Sequence, residues 1–140
     1  MPYPEYFQKL EQLYYRNPIN EFYDTTIKIE AGKAQIVTQV RPDLLHGGGM
    51  LHGSVYFKAL DDACTFAAAT LKENEIPVTA SFNIHFLRPI SKGSFTAVGR
   101  VLHQSRRLIV TEAEAFDENG RKLAYGSGSF MIASGGMPKL

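Results

Sequence analysis

The sequence predicts an α+β domain in which an antiparallel sheet curls around one long central helix. Three observations predict it. Only one apolar run with helical periodicity is long enough to fill a core. The remaining apolar runs alternate, as half-buried strands do. Turn signals such as Ala31-Gly32 and Asp117-Glu-Asn-Gly120 join neighbouring strands too tightly for crossover helices. Sheet and helix then have chiefly each other to cover their apolar faces.

Each element can be justified in order. Residues 3–16 carry Tyr6, Leu10, Leu13 and Tyr14 at roughly helical spacing and predict a short amphipathic helix, ended by Asn17-Pro18. From Phe22 the period changes to alternation, and TTIKIEAGKAQIVTQV reads as a hairpin closed off by Arg41-Pro42-Asp43. A glycine-rich loop, His46-Gly-Gly-Gly-Met-Leu-His-Gly53, precedes the long helix, predicted from about Gly53 to Leu71. Val55, Tyr56, Ala59, Leu60, Ala63, Phe66, Ala67 and Thr70 give that helix its apolar faces. Lys72-Glu73-Asn74-Glu75 is its solvated exit, and Pro77 lies where no helix continues. Four strand-like runs follow, beginning with VTASFNIHFLRPI, in which Val78, Ala80, Phe82, Ile84 and Phe86 are expected on one face. The tail at residues 134–140, SGGMPKL, reads as disposable.

Bulk properties narrow the function. One domain over 1–140, with its core at about 20–133, fits a chain of 140 residues that is 44% apolar. Fifteen basic against fourteen acidic residues leave a net charge of +1, without the basic excess of a general nucleic-acid binder. A single cysteine, Cys64, excludes an intrachain disulfide and any site built on several thiolates, and reads as a small core residue. No stretch approaches the roughly 20 apolar residues of a membrane span, and the first residues carry no apolar signal core. A soluble cytoplasmic protein with no nucleic-acid or membrane partner is expected. No metal is expected either, since the histidines show no ligand spacing. No dinucleotide or nucleotide-phosphate fingerprint marks a bound cofactor.

His52-Gly53, Asp61 nine residues after the histidine, the run Thr79-Ala-Ser-Phe-Asn-Ile-His-Phe-Leu-Arg-Pro89 and Gln104-Ser-Arg-Arg107 carry a family pattern. Together with the element order, they make the chain resemble the hotdog-fold acyl-CoA thioesterases, in particular the phenylacetate-degradation (PaaI-like) branch, over about residues 20–133. The resemblance implies a hotdog fold, hydrolysis of an acyl-CoA to a carboxylic acid and free coenzyme A, no cofactor, and a homodimer or dimer of dimers with sites at the subunit boundary. It selects Asp61, rather than Asp62, as the catalytic acid.

The residues themselves support a reaction scheme alongside plainer readings. An amide at a helix start, bared by Gly53, can hold an oxyanion; the glycine cluster can equally be turn punctuation. Asp61 sits in an apolar helix, where an unpaired acid is costly. It can serve as base or nucleophile, or the two aspartates can form a polar stripe. Gly53 and Asp61 are about 12 Å apart along one helix, so both reach one carbonyl only from different protomers of an antiparallel pair. His46 stands where relatives often carry an asparagine or another polar residue that contacts water or the thioester oxygen; it can equally be a structural hydrogen-bonder of the loop. Thr79 matches a hydroxyl that orients water in some relatives, or is an ordinary strand residue, while His52 shapes the loop and caps the helix. Thr65, one turn after Asp61, can hydrogen-bond it. Arg106 and Arg107, with Arg88 and Lys92 as further candidates, are expected to take coenzyme phosphates. One departure stands out: relatives commonly read His-Gly-Gly, whereas this chain has His52-Gly53-Ser54. The rival readings are a non-catalytic acyl-CoA-binding or sensing module, and a hydratase of the same fold.

Overall fold

The computed structural model describes residues 4–133. Helix α1 (Glu5–Arg16) and a short 3-10 turn (Pro18–Glu21) lead into strands β1 (Thr25–Glu30) and β2 (Lys33–Gln39). Helix α2 (Gly53–Ala69) follows, then strands β3 (Ile76–Phe86), β4 (Ser94–Gln104), β5 (Leu108–Asp117) and β6 (Lys122–Ala133). The strands form one six-stranded sheet in the order β1-β2-β4-β5-β6-β3, with every neighbouring pair antiparallel. Helix α2 packs against all six strands, the hotdog arrangement. The tail at 134–140 lies outside the described residues.

The close seating of α2 follows from small side chains on both partners. Ala59, Ala63, Ala67 and Ala68 are buried on the helix, and Ala97, Ala113, Ala115 and Ala124 on the sheet. At Gly99 in β4 contact is so close that a Cβ would lie 2.5 Å from the Ala63 carbonyl carbon. Real Cβ atoms do not approach backbone that closely, so only glycine fits there. Larger side chains fill the flanks: Leu60, Phe95, Ile109, Leu123 and Phe130 are fully buried, each contributing about 1.5–3 kcal/mol relative to exposure.

Helix α1 closes one end of this core. Leu10 and Tyr14 are buried, the Tyr14 ring meets Phe66 edge-on at 5.4 Å, and its hydroxyl donates to Thr25 Oγ1 at 2.7 Å. The Tyr6 hydroxyl lies against the carbonyls of Ala69 and Lys72 (the latter at 2.9 Å), taking up acceptors that the end of α2 leaves free.

Three details differ from the sequence expectation. Helix α2 stops at Ala69 rather than Leu71. Strand β3 begins at Ile76 and contains Pro77, which is tolerated because β3 is an edge strand with one flank free of ladder bonds. The expected alternation along β3 is broken by a bulge: Thr79 pairs with Phe130, but Ser81 already pairs with Ser129. The extra residue, Ala80, moves Thr79 onto the helix-facing side with Phe82 and Ile84, while Val78 is left exposed. No helix among the described residues is long and apolar enough to cross a membrane.

Candidate active site

The first residue of α2 and its midpoint carry the predicted chemistry. At its start the chain makes a tight loop: Leu45 bridges Leu51, the His46 amide donates to the Met50 carbonyl at 2.9 Å, and Gly49 turns with φ +80°. His52 is the N-cap, its Nδ1 accepting the Ser54 amide at 3.1 Å. Gly53 is the first helical residue, and its amide meets no acceptor among the described residues. Gly53 lines a cavity of about 350 Å³ together with His46, Met50, Tyr56, Phe86 and Arg88. The Phe86 ring rests on Gly53, with a virtual Cβ only 3.3 Å from it, and packs edge-on against Tyr56 at 5.6 Å.

Halfway along α2, Asp61 points to the edge strand. Thr79 Oγ1 donates to Asp61 Oδ1 at 2.7 Å, a contact that exists because the bulge turned Thr79 inward. Burial raises the Asp61 pKa, the Thr79 hydrogen bond works against that rise, Asp62 adds to it and Lys58 opposes it. Asp61 is thus a carboxylate made more basic by its surroundings, with only one oxygen engaged by Thr79.

Asp62 is neither solvent-facing nor part of the same constellation. It accepts from Lys58 Nζ at 2.6 Å, and that ammonium also donates to Asn20 Oδ1 at 2.5 Å beneath the ring of Tyr23. Asn20 in turn donates to the Tyr14 carbonyl at 2.7 Å. This node ties α1 and the 3-10 turn to α2. Reasoning from sequence missed Lys58 and Asn20. The Lys58–Asp62 spacing of i, i+4 was the one available signal, and nothing local pointed to Asn20.

Other expected residues fall in different places. Thr65 donates to the backbone carbonyl of Asp61 at 2.8 Å, as threonines in helices do, so it does not engage the carboxylate. Arg106 and Arg107 occupy the exposed β4–β5 turn, on the side of the sheet end that holds Thr79. Arg88 lies by Gly53 instead, and its carbonyl accepts the Tyr56 hydroxyl at 3.1 Å. Within one protomer the arginines therefore flank opposite ends of the candidate site. Cys64 is fully buried, and burial pushes its thiol up to about 12, which leaves it unreactive. A larger cleft of about 460 Å³, between loop 89–94 and the β5–β6 turn, holds none of the candidate catalytic residues.

Comparison with known proteins addresses the family directly. A family model described as Thioesterase superfamily matches residues 48–124, more than half of the chain. The chain belongs to the thioesterase superfamily. Its relatives within reach of the sequence include a Saccharolobus solfataricus protein provisionally named an esterase, 33% identical over 129 residues that cover 91% of this chain and 88% of that protein. A second from the same organism, also provisionally an esterase, is 35% identical over 105 residues covering 75% and 70%. Among solved structures, a thioesterase family protein from Silicibacter pomeroyi superposes with TM-score 0.85 at 26% identity, covering 93% of this chain and 99% of that one. The E. coli PaaI protein from the phenylacetic acid degradation operon superposes with TM-score 0.87 at 22% identity, covering 95% and 96%, which speaks to the fold alone. For this thioesterase-superfamily chain, hydrolase is the activity class that family and relatives support.

Proposed function

We propose that the protein hydrolyses acyl-CoA thioesters at two equivalent sites, each shared between the protomers of a homodimer. The observation that carries this reading is the pairing of an unpartnered Gly53 amide in an apolar-walled cavity with a basic, half-buried Asp61 further along the same helix face. Eight residues of helix separate them by about 12 Å, too far for one carbonyl. Two α2 helices lying antiparallel about a twofold axis bring the Gly53 of each protomer to the Asp61 of the other.

Two features support an axis through one place on the surface. Halfway between Gly53 and Asp61 on α2 lies Phe57. On β3, Phe86 is level with Gly53 and Thr79 with Asp61, and halfway between them lies the Phe82–Asn83 step. Phe57 and Phe82 already pack on each other, with ring centroids 5.2 Å apart. An axis through this pair also sets β3, an edge strand of the sheet, against its own copy in antiparallel register. It covers the exposed apolar surface of Phe57, Phe86 and Leu87.

In the composite site the thioester carbonyl accepts the Gly53 amide and the positive end of α2. Asp61 of the partner takes a proton from water as the water oxygen bonds to the carbonyl carbon. The tetrahedral adduct then breaks its C–S bond, and the departing thiolate takes up the proton. Thr79 holds the carboxylate oriented, and Arg88, Arg106 and Arg107 are the cations available to coenzyme phosphates. The test is hydrolysis of a panel of acyl-CoAs by wild type and Asp61→Asn. Turnover by wild type and its loss in the variant support the reading; turnover unchanged in the variant removes Asp61 from the mechanism.

A further inference from the structure

We infer that Phe82 limits the protein to short acyl groups, its ring filling a slot over Gly126 and Gly128 that a longer chain would need; this rests on the thioesterase reading of the α2–β3 face. At Gly126 a Cβ would lie 2.7 Å from Phe82 Cε1, and at Gly128 2.4 Å from Phe82 Cδ2. One ring thus spans two successive inward positions of β6, both buried. The same ring meets Phe57 of α2, with centroids 5.2 Å apart. Phe82 therefore occupies the space between the Phe57 side chain and the β6 backbone.

These glycines differ from the one that seats the helix. A Cβ at Gly99 would strike the backbone of α2, whereas the atoms nearest a Cβ at Gly126 or Gly128 all belong to β3. They are the Phe82 ring and the carbonyl oxygens of Asn83 and Ser81, at 3.1 and 3.0 Å. Glycine weakens a strand interior, and alanines here with a smaller residue at 82 would cover the same helix face. What the two glycines admit is a full phenyl ring at this place. Its position bears on the reaction. Phe57 lies four residues from Gly53 and four from Asp61, about 6 Å along the helix from each. With the thioester carbonyl held at Gly53, the coenzyme carries its phosphates toward water and the arginines. The apolar acyl group takes the covered direction, along α2 to Phe57 and Phe82, and stops against the ring.

The experiment measures kcat/KM for acetyl-, butyryl-, hexanoyl- and decanoyl-CoA. Wild type is expected to favour the short chains and to fall off by decanoyl. Phe82→Ala is expected to raise the decanoyl-to-butyryl ratio about 60-fold, as about three methylenes gain apolar cover at about fourfold each. Phe82→Leu raises it less, in the same sense. Adding Gly126→Ala and Gly128→Ala to Phe82→Ala refills the slot from the β6 side and is expected to return the ratio toward wild type. A ring that only packs the core would lower turnover of every acyl-CoA by the same factor when removed. An unchanged ratio in folded Phe82→Ala, a raised ratio that survives the two alanines, or wild type that hydrolyses decanoyl- as well as butyryl-CoA overturns the inference. The wild-type series and Phe82→Leu decide the matter even where Phe82→Ala does not fold. An inactive Asp61→Asn beside an unchanged ratio in Phe82→Ala defeats this inference and leaves the proposed function standing; wild type unable to hydrolyse any thioester defeats both.

Discussion

Asp61 and Asp62 are neighbours on one helix, yet they face different parts of the molecule and have different partners. Asp62 looks toward α1 and is held by Lys58, which is shared with Asn20. Asp61 looks toward the sheet edge and has only a neutral hydroxyl, that of Thr79, on one oxygen. Burial raises both pKa values, but only Asp62 has an ammonium within hydrogen-bond distance. An acid paired with a cation is a weak base with its lone pairs committed; an acid restrained by a neutral donor keeps a free oxygen and its basicity. The difference assigns one aspartate to tying the fold together and the other to chemistry.

The sharpest way to break this comparison is to neutralise each acid in turn. Asp61→Asn is expected to lower kcat on the order of 10³-fold, the mid-range for a general base, with thermal stability held or improved because an under-compensated buried charge is gone. Asp62→Asn is expected to retain most of its activity at its optimum but to melt earlier. Equal kinetic losses in the two variants would erase the distinction.

Stability sharpens it next. Lys58→Met leaves Asp62 half-buried without its cation and Asn20 Oδ1 without its donor, at a cost of roughly 2 kcal/mol, below the full penalty for a buried pair because the site is partly exposed. Denaturant unfolding measures it, and a midpoint equal to wild type would show that the node does not tie α1 to α2.

Smaller effects appear in the pH profile. The Thr79 hydroxyl favours the charged form of Asp61, so Thr79→Val raises the Asp61 pKa further. A base must be ionised to act, and the acid limb of kcat/KM therefore moves to higher pH, whereas Thr79→Ser leaves it in place. Removing the negative charge of Asp62 does the reverse: Asp62→Asn moves the limb to lower pH. Shifts in the same direction for Thr79→Val and Asp62→Asn would contradict this electrostatic account. Thr65→Val is expected to move nothing, since its hydrogen bond ends on a backbone carbonyl.

Much of the frame was legible in the sequence because it is written in local periodicity. The helical spacing from Val55 to Phe66, the alternation in β1, β2, β4, β5 and β6, and the Asp117–Gly120 turn each follow from neighbouring residues alone. The β3 bulge was not legible, because nothing in Thr79-Ala80-Ser81 says which residue is skipped; the pairing with β6 across the sheet decides it. Thr79 could be matched to the site through family resemblance, but its inward direction depends on that bulge. Likewise Asn20 and Lys58 are 38 residues apart, and only the docking of α1 on α2 makes them neighbours. The glycine run read as a turn or as a bared approach to the helix start. At Gly48 a Cβ would lie 2.7 Å from His46 Cε1, a crowding that becomes visible only once the imidazole has a position.

The shared site is tested most directly by subunit complementation. Gly53→Pro deletes the proposed oxyanion amide at a helix position where proline is favoured, after His52, whose φ −65° and ψ 139° suit a residue before proline. Gly53→Pro and Asp61→Asn homodimers are both expected to be nearly inactive. Unfolded and refolded together in equal amounts, they form mixed dimers in half of the population, with one of two sites intact in each, so about a quarter of wild-type activity returns. Activity no greater than the average of the two inactive parents, in a mixture verified to contain mixed dimers, would mean that the amide and the carboxylate do not meet across the subunit boundary.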